Sequence, residues 1–185
     1  MPWPTSDPLV TGVGGTTVDI TGRGAQARPR AAGRQPGGFA GGGGLPAVFP
    51  RPAWQDQVAS VVGDRRGVVD MPVDARAWAY IRVPGPRTSP GWFHAVGTSV
   101  SAPLLAGLAA DAAPLAGHPL GLINPALYRM RATADGILDI TRGSNTARGV
   151  PGYPATPGYD LPSGIGTIGS AALFVPALAR PGQQR

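Results

Sequence analysis

A run of small and apolar residues begins directly after a Gly-Thr-Ser triplet, in the sequence HAVGTSVSAPLLAGLAAD at residues 94–111. Such a run predicts a helix over residues 101–113, with the hydroxyl of Ser99 or Ser101 available as an N-cap. Pro103 then falls in the first turn, where a missing N–H costs nothing. This segment therefore supplies both a predicted core helix and a serine hydroxyl at its start.

Short strands and short helices alternate along the rest of the chain. β-branched residues around a Gly-Gly pair in residues 8–20 predict two strands joined by a turn, and residues 53–62 predict a short helix. Further strands and helices are predicted in residues 66–83, 123–130, 137–140 and 170–179. This alternation predicts an α/β layer fold, and the length fits one domain or part of one.

Residues 21–46 differ in composition from their surroundings, since they are rich in Gly, Arg, Ala and Pro and hold almost no large apolar residue. They predict a long surface loop, because such a stretch cannot form a packed element by itself. Arg28, Arg30 and Arg34 resemble an RGG-type binding tract, but a solvated loop in a chain whose basic residues are all Arg is the favoured interpretation.

The charged residues are unusual in kind: all sixteen basic residues are Arg and all ten acidic residues are Asp, for a net charge of +6. The arginines are scattered and not interleaved with aromatic residues, so we expect no nucleic-acid partner. The absence of cysteine excludes disulfides and cysteine-based metal sites. The start, MPWPTSDP, predicts no secretion signal, and Asp111 and Pro114 break the longest apolar run, so no membrane span is predicted.

Ser99 is the candidate catalytic residue. A serine where a turn enters a helix has an exposed hydroxyl beside free N–H groups and the positive end of the helix dipole. That setting suits the nucleophile of an acyl transfer, but a helix cap uses the same residue at the same place. The triplet alone leaves both interpretations open.

Longer segments of the sequence bear on the choice between nucleophile and helix cap. The segment GTSVSAP resembles the nucleophile motif of subtilisin-like and sedolisin-like serine peptidases. The subtilisin-like pattern does not fit, because no Asn precedes Asn124 and neither His94 nor His118 stands in an HGT context. The sedolisin, or serine-carboxyl peptidase, pattern is similar over residues 3–179, through the segments WPTSDPLVTGVGGTT, FPRPAWQ, LGLINPALY, LDITRGSN and PGYDLPSGIGT.

The resemblance implies a subtilisin-like three-layer α/β fold with a mainly parallel sheet, present here as the C-terminal part of one peptidase domain over residues 1–185. It implies Ser99 as nucleophile, a peptide or protein substrate, and activity at acid pH in the complete domain. The family is typically secreted. It also implies one calcium ion in the loop region 138–167, held by the carboxylates of Asp139 and Asp160 and the backbone oxygens of Ile140, Thr156 and Gly158. Oxygen ligands of this kind suit a hard cation.

The chain departs from the sedolisin pattern in its catalytic base. The family activates its serine with a Glu bonded to an Asp and places another Asp in the oxyanion hole, all ahead of the segment that corresponds to VGGTT. This chain has no Glu, and only Asp7 precedes Val13. An unassisted serine is a weak nucleophile, so we expect the chain alone to be inactive. We expect an upstream half of the domain, or a separately encoded partner, to supply a Glu-x-x-x-Asp helix and a Ser-Gly-Asp turn.

Other interpretations stay open. A Ser99–His94 dyad would replace the missing base, but no third group is evident to orient the imidazole. A non-catalytic, calcium-stabilised binding or structural module would keep a degenerate peptidase fold, and a basic protein would contact acidic polymers. Val96 replaces a small residue of the family pattern, whereas Asp70 and Asp74 match its aspartates and are expected to form hydrogen bonds in the core or at a strand end.

Overall fold

The structure is a computed structural model that describes residues 3–20, 27–31, 40–81 and 91–180. Its strands are Val13–Ile20 (β1), Ala27–Ala31 (β2), Met71–Asp74 (β3), Arg76–Ile81 (β4), Gly91–Val96 (β5), Ile137–Leu138 (β6) and Thr167–Ile168 (β7). Its α-helices are Ala59–Val62 (α1), Thr98–Ala116 (α2), Asn124–Arg129 (α3) and Ala171–Leu178 (α4), with 3₁₀ helices over Ala53–Val58 and Ala132–Asp135. The predicted alternation of strands and helices is confirmed.

The central sheet has the strand order β2-β1-β3. β1 pairs with β3 in parallel, from Val13 opposite Met71 to Thr16 opposite Asp74. β1 is one continuous strand, so the prediction of two strands joined by a turn is wrong. Gly14 lies inside this strand, at a position where a Cβ would come within 2.9 Å of the side chain of Val69. This glycine permits close packing and does not form a turn.

The predicted surface loop over residues 21–46 is wrong at residues 27–31, which form a strand, whereas residues 40–46 form no helix or strand apart from one isolated bridge at Gly44. Ala27–Ala31, which includes Arg28 and Arg30, is strand β2 and pairs antiparallel with β1. Gly44 exchanges backbone hydrogen bonds with Val68 at 2.6 and 3.0 Å. Residues 21–26 and 32–39, with Arg34, lie outside the described residues.

A β-hairpin connects β3 to α2. β4 and β5 pair antiparallel, starting with Arg76 opposite Val96. The next pair continues the ladder, since the N–H of Gly97 donates to the backbone oxygen of Ala75 at 2.8 Å. The hairpin therefore returns the chain to the carboxyl end of β3, where α2 begins.

α2 covers Thr98–Ala116 and is three residues longer at each end than predicted. Its N-cap is Gly97, with φ 103° and ψ 172°, and no side chain caps it, so the predicted serine cap is wrong. Gly97 turns the chain in a conformation that other residues rarely adopt, and the helix can therefore start before either serine. Pro103 is the sixth helical residue, past the first turn, which also contradicts the prediction.

The core lies where α2 packs on β1 and β3 and against α4. Its most buried members are Met71, Leu105, Ala112, Ala126, Leu127, Ile137, Phe174 and Leu178. Within the described part, one helix, α2, meets the length and apolarity of a membrane span, and only 17% of that window is buried. The buried residues of α2 face the sheet, while other residues of the helix, Leu104 and Leu115 among them, are exposed.

Candidate nucleophile turn and calcium loop

Ser99 is the second residue of α2, and its side chain is exposed. The turn before it is fixed by two backbone bonds, from the N–H of Gly97 to the oxygen of Ala75 at 2.8 Å and from the N–H of Val100 to the oxygen of Gly97 at 3.0 Å. Within the described ranges, the hydroxyl of Ser99 makes no hydrogen bond to the protein. Ser99 is therefore presented to solvent at a helix N-terminus and does not cap the helix.

The groups that surround this turn include no base bonded to Ser99. His94 lies in β5 opposite Trp78 and, among the described residues, does not bond to Ser99, which gives no support to a dyad. Asp74 ends β3, and one of its carboxylate oxygens accepts the N–H of Arg76 at 3.1 Å. Partial burial raises the pKa of Asp74 above its ordinary value. Asp74 thus has the strand-end role that the sequence predicts.

Ser101 has a role that the sequence pattern does not indicate. Its side chain is completely buried, and its hydroxyl donates to the backbone oxygens of Val73 and Asp74, at 3.1 and 3.2 Å. The two acceptors precede Ser101 by 28 and 27 residues, so no local signal could reveal them.

The two predicted calcium-binding aspartates hold one turn of the loop after β6. A carboxylate oxygen of Asp139 accepts the N–H of Gly158 at 2.9 Å. Asp160 is buried and accepts the N–H of Thr156 at 2.7 Å, and its other oxygen accepts the N–H and hydroxyl of Ser163 at 2.7 and 2.6 Å. The structure therefore brings both carboxylates to the segment that carries two of the predicted backbone ligands.

The negative charge of Asp139 also acts on the carboxyl group of Asp160. Burial raises the pKa of Asp160 above its ordinary value, hydrogen bonds from Ser163 and Thr156 oppose this, and the negative charge of Asp139 adds to the increase. Two carboxylates close to each other repel, and a bound cation would relieve that repulsion.

The three predicted backbone ligands have unused oxygens. Ile140 is completely buried, yet its backbone oxygen accepts no hydrogen bond from the described residues, and the same holds for the oxygens of Thr156 and Gly158. Gly158 has φ 81°, while Thr156 is not in the left-handed region. No group of three His, Cys, Asp or Glu side chains occurs in the part described, so a cation here would depend on these carbonyls. In kind, two carboxylates and three backbone oxygens without a hydrogen bond in the described structure are donors that suit calcium.

Asp70 is the centre of a buried hydrogen-bond network, which confirms its expected role in the core. Its carboxylate accepts bonds from the guanidinium of Arg66 at 2.5 Å, the N–H of Gly12 at 2.7 Å and the hydroxyl of Tyr128 at 2.9 Å. Burial raises the pKa of Asp70, and the charge of Arg66 opposes the increase. Gln55 completes the network by donating to the Tyr128 hydroxyl at 2.7 Å.

The loop with the predicted calcium ligands is attached to the residues that precede β3. The N–H of Ile165 donates to the backbone oxygen of Asp70 at 2.9 Å, and the N–H of Val69 donates to the oxygen of Leu161 at 3.2 Å. Gly164 packs so closely that a Cβ would lie 2.0 Å from the backbone oxygen of Asp70. The loop and the strand that leads to the nucleophile turn therefore form one packed unit.

Known peptidases are similar to this chain in sequence and in structure. Kumamolisin of Bacillus sp. (strain MN-32) is 34% identical over 175 residues, which cover 89% of this chain. Sedolisin of Pseudomonas sp. (strain 101) is 31% identical over 177 residues, or 92% of this chain. A solved structure of Pseudomonas sedolisin, a serine-carboxyl proteinase complexed with two molecules of pseudo-iodotyrostatin, matches 93% of this chain with a TM-score of 0.74 and 30% identity. Over most of its length, this chain belongs to the sedolisin family.

The match covers only part of each relative. The chain spans 30% of kumamolisin, 29% of sedolisin and 47% of the solved sedolisin chain. No protein-family model matches the chain. The structural match confirms the predicted subtilisin-like α/β fold in partial form, with its parallel pairing between β1 and β3.

Proposed function

We propose that this chain is the nucleophile-bearing part of a sedolisin-like serine endopeptidase domain that cleaves peptide or protein substrates at acid pH once the domain is completed. The observation that carries the proposal is the position of Ser99, which is exposed at the start of α2 and held against the carboxyl end of β3. Its surroundings, GTSVSAP, belong to a chain that is similar to serine-carboxyl peptidases along nearly its whole length.

The chemistry assigned to Ser99 is acyl transfer. Its oxygen would attack the carbonyl carbon of the scissile peptide bond, and its proton would pass to a base and then to the leaving amine as the C–N bond breaks. Water would then release the acyl group from Ser99. Because Ser99 lies at the N-terminus of α2, the helix dipole would stabilise the negative charge that develops on the substrate carbonyl oxygen.

The base must come from outside this chain. The sequence contains no Glu, and the described part places no carboxylate in hydrogen-bond contact with Ser99. We therefore propose that the chain alone is inactive and that a segment with a Glu–Asp pair and an oxyanion Asp completes it. Exposed apolar side chains on α2 and before it support such a partner: Val96 is 49%, Leu104 43% and Leu115 61% exposed.

We also propose one calcium ion in the loop over residues 138–167. The carboxylates of Asp139 and Asp160 and the unused backbone oxygens of Ile140, Thr156 and Gly158 would hold it. The ion would supply positive charge that binds these oxygens together and stabilises the loop. Because that loop is bonded to the residues before β3, its stability would support the nucleophile turn.

A non-catalytic, calcium-stabilised module is the second candidate function. The observation that favours it is the complete absence of Glu from 185 residues, which leaves Ser99 without the base that its family uses. Such a module would keep the fold and the calcium loop and use its surfaces for binding.

The test is to complete the domain. The chain is purified and mixed with a separately produced peptidase segment that holds the Glu–Asp pair and the oxyanion Asp, and hydrolysis of an internally quenched peptide is followed from acid to neutral pH. We expect no hydrolysis by the chain alone and acid hydrolysis by the mixture. Ser99→Ala should abolish it, and Ser60→Ala, at an exposed serine of α1, should not. Binding of the segment without hydrolysis would support the non-catalytic module.

A further inference from the structure

Ser101 is a buried polar residue that the proposed chemistry does not use. Its side chain is 0% exposed, and its hydroxyl lies between two consecutive backbone oxygens, 3.1 Å from that of Val73 and 3.2 Å from that of Asp74. A serine hydroxyl has one proton, so the two oxygens share it. This contact joins α2 to the last two residues of β3.

A second contact joins the same elements just before Ser99. The N–H of Gly97 donates to the backbone oxygen of Ala75 at 2.8 Å, and the N–H of Ala75 donates to that of Thr16 at 2.8 Å. Residues on both sides of Ser99 are thus bonded to three consecutive backbone oxygens, those of residues 73, 74 and 75.

Helix geometry explains why one serine is anchored and the other is presented. Two residues along an α-helix correspond to a rotation of about 200°, so Ser99 and Ser101 point to opposite sides of α2. The burial of Ser101 against β3 therefore directs Ser99 away from the sheet, where it is exposed.

The start of α2 needs this anchor more than most helices do. Pro103 has no N–H to donate to the backbone oxygen of Ser99, so a bond of the first helical turns is absent. No side chain caps the helix. The position of Ser99 then depends on the bonds that Gly97 and Ser101 make to the end of β3.

We infer that Ser101 is a positioning residue, which fixes the place of Ser99 relative to the carboxyl end of β3 through its bonds to the backbone oxygens of Val73 and Asp74. As a statement about catalysis, this inference rests on the proposed function. As a statement about geometry, it is testable on the chain alone.

The experiment compares Ser101→Ala with Thr16→Val, in which a buried hydroxyl without a hydrogen-bond partner in the described structure is removed from a neighbouring strand. Amide hydrogen exchange is measured by NMR at Gly97 and Val100, and at Phe174 in α4 as a reference. Ser101→Ala should accelerate exchange at Gly97 and Val100 by roughly tenfold relative to Phe174 and shift the Ser99 amide resonance. Thr16→Val should do neither.

Two results would overturn the inference: exchange at Gly97 that is unchanged in Ser101→Ala, or exchange that increases equally at Gly97 and Phe174. If Ser101→Ala does not fold, Ser101→Cys takes its place, because it keeps a similar volume with a weaker hydrogen-bond donor. The same exchange rates, at the amides of Gly97 and Val100, then decide the outcome. In the completed peptidase, Ser101→Ala should lower kcat by roughly tenfold to a hundredfold with little change in KM. A completed wild-type domain without Ser99-dependent hydrolysis would count against the proposed function alone, because the exchange rates still decide the role of Ser101.

Discussion

The guanidinium of Arg66 lies 2.5 Å from the carboxylate of Asp70, and neither side chain is exposed. The same guanidinium stacks 4.8 Å from the ring centre of Trp54. Burial of two charges is costly, and here the two charges compensate each other, while Tyr128 and Gly12 donate further bonds to the carboxylate. Removal of either partner should therefore destabilise the fold strongly.

Asp70→Asn should reduce the free energy of unfolding by about 3–5 kcal/mol, because it leaves the charge of Arg66 buried and unpaired. The control is Asp56→Asn, which breaks an ion pair with Arg51 in which Asp56 is 63% exposed. That change should cost about 0–1 kcal/mol. Urea unfolding followed by tryptophan fluorescence measures both, and equal losses would contradict the prediction.

Gly97→Ala should destabilise the chain by about 1–3 kcal/mol, although a Cβ there would meet no atom closer than 4.0 Å. The cost arises from the backbone, since φ 103° with ψ 172° is available to glycine almost alone. Gly107, inside α2, also has open space around it and an ordinary φ. Gly107→Ala should therefore stabilise by about 0.5–1 kcal/mol, and chemical unfolding of both variants checks the opposite signs.

The carboxylate of Asp135 gives a stability contribution that depends on pH. Burial would raise its pKa, but the N–H of Arg131 at 2.7 Å and the guanidinium of Arg180 at 2.8 Å lower it below the ordinary value of 3.8. The folded state therefore binds this proton less tightly than the unfolded chain. The contribution is complete above pH 3.8 and is lost as the pH falls below 3.8 toward the folded-state pKa.

Asp135→Asn should accordingly reduce stability by about 1–3 kcal/mol at neutral pH, and the difference from the wild type should shrink in acid. Unfolding curves at about pH 7 and about pH 3 provide the comparison. Asp64→Asn, at a side chain that is 93% exposed, should change stability little at either pH. A difference for Asp135→Asn that is independent of pH would refute this assignment.

Calcium should raise the melting temperature of the wild-type chain by an amount that grows with its concentration. The corresponding gain in the free energy of unfolding is about 2.7 kcal/mol at a hundredfold excess over Kd. Asp139→Asn should weaken the effect with little loss of stability in the absence of calcium, since Asp139 is exposed and accepts one N–H. Asp160→Ala should weaken it too and also lower basal stability, because Asp160 holds Ser163 and Thr156.

Asp111→Asn, on the exposed face of α2, is the matched control for the loss of one negative charge. Differential scanning calorimetry with calcium and with a chelator measures all three variants. A calcium-dependent increase that survives in Asp139→Asn, or no increase in the wild type, would be evidence against the site.

Sequence patterns predict those elements whose cause is local. α3 and α4 form where their apolar spacing predicts them, and α3 has Pro125 in its first turn, where a missing N–H is harmless. Strand β2 has the sequence ARPRA, without a β-branched or aromatic residue, and exists because β1 offers it a backbone partner. This pairing depends on the backbone of β1, so nothing in the sequence of β2 itself indicates a strand.

In the candidate site too, local features can be predicted from the sequence and features that depend on another element cannot. The nucleophile motif and the order of the calcium-loop motifs can be seen in the sequence, and so can the absence of Glu. The start of α2 could not be predicted, because it depends on the conformation of Gly97. The anchoring of Ser101 could not be predicted either, because its acceptors lie in another element.

Ser99 is a residue that the fold does not need. Its side chain is exposed, it forms no hydrogen bond within the described ranges, and alanine has a higher helix propensity at such a position. Mutational drift limited only by folding would be free to replace it, while Gly97 and Ser101 would be retained. Natural variants that keep serine at position 99 would therefore indicate selection for a reaction. Variants that lose Ser99 but keep Gly97 and Ser101 would indicate that the fold is retained without the reaction.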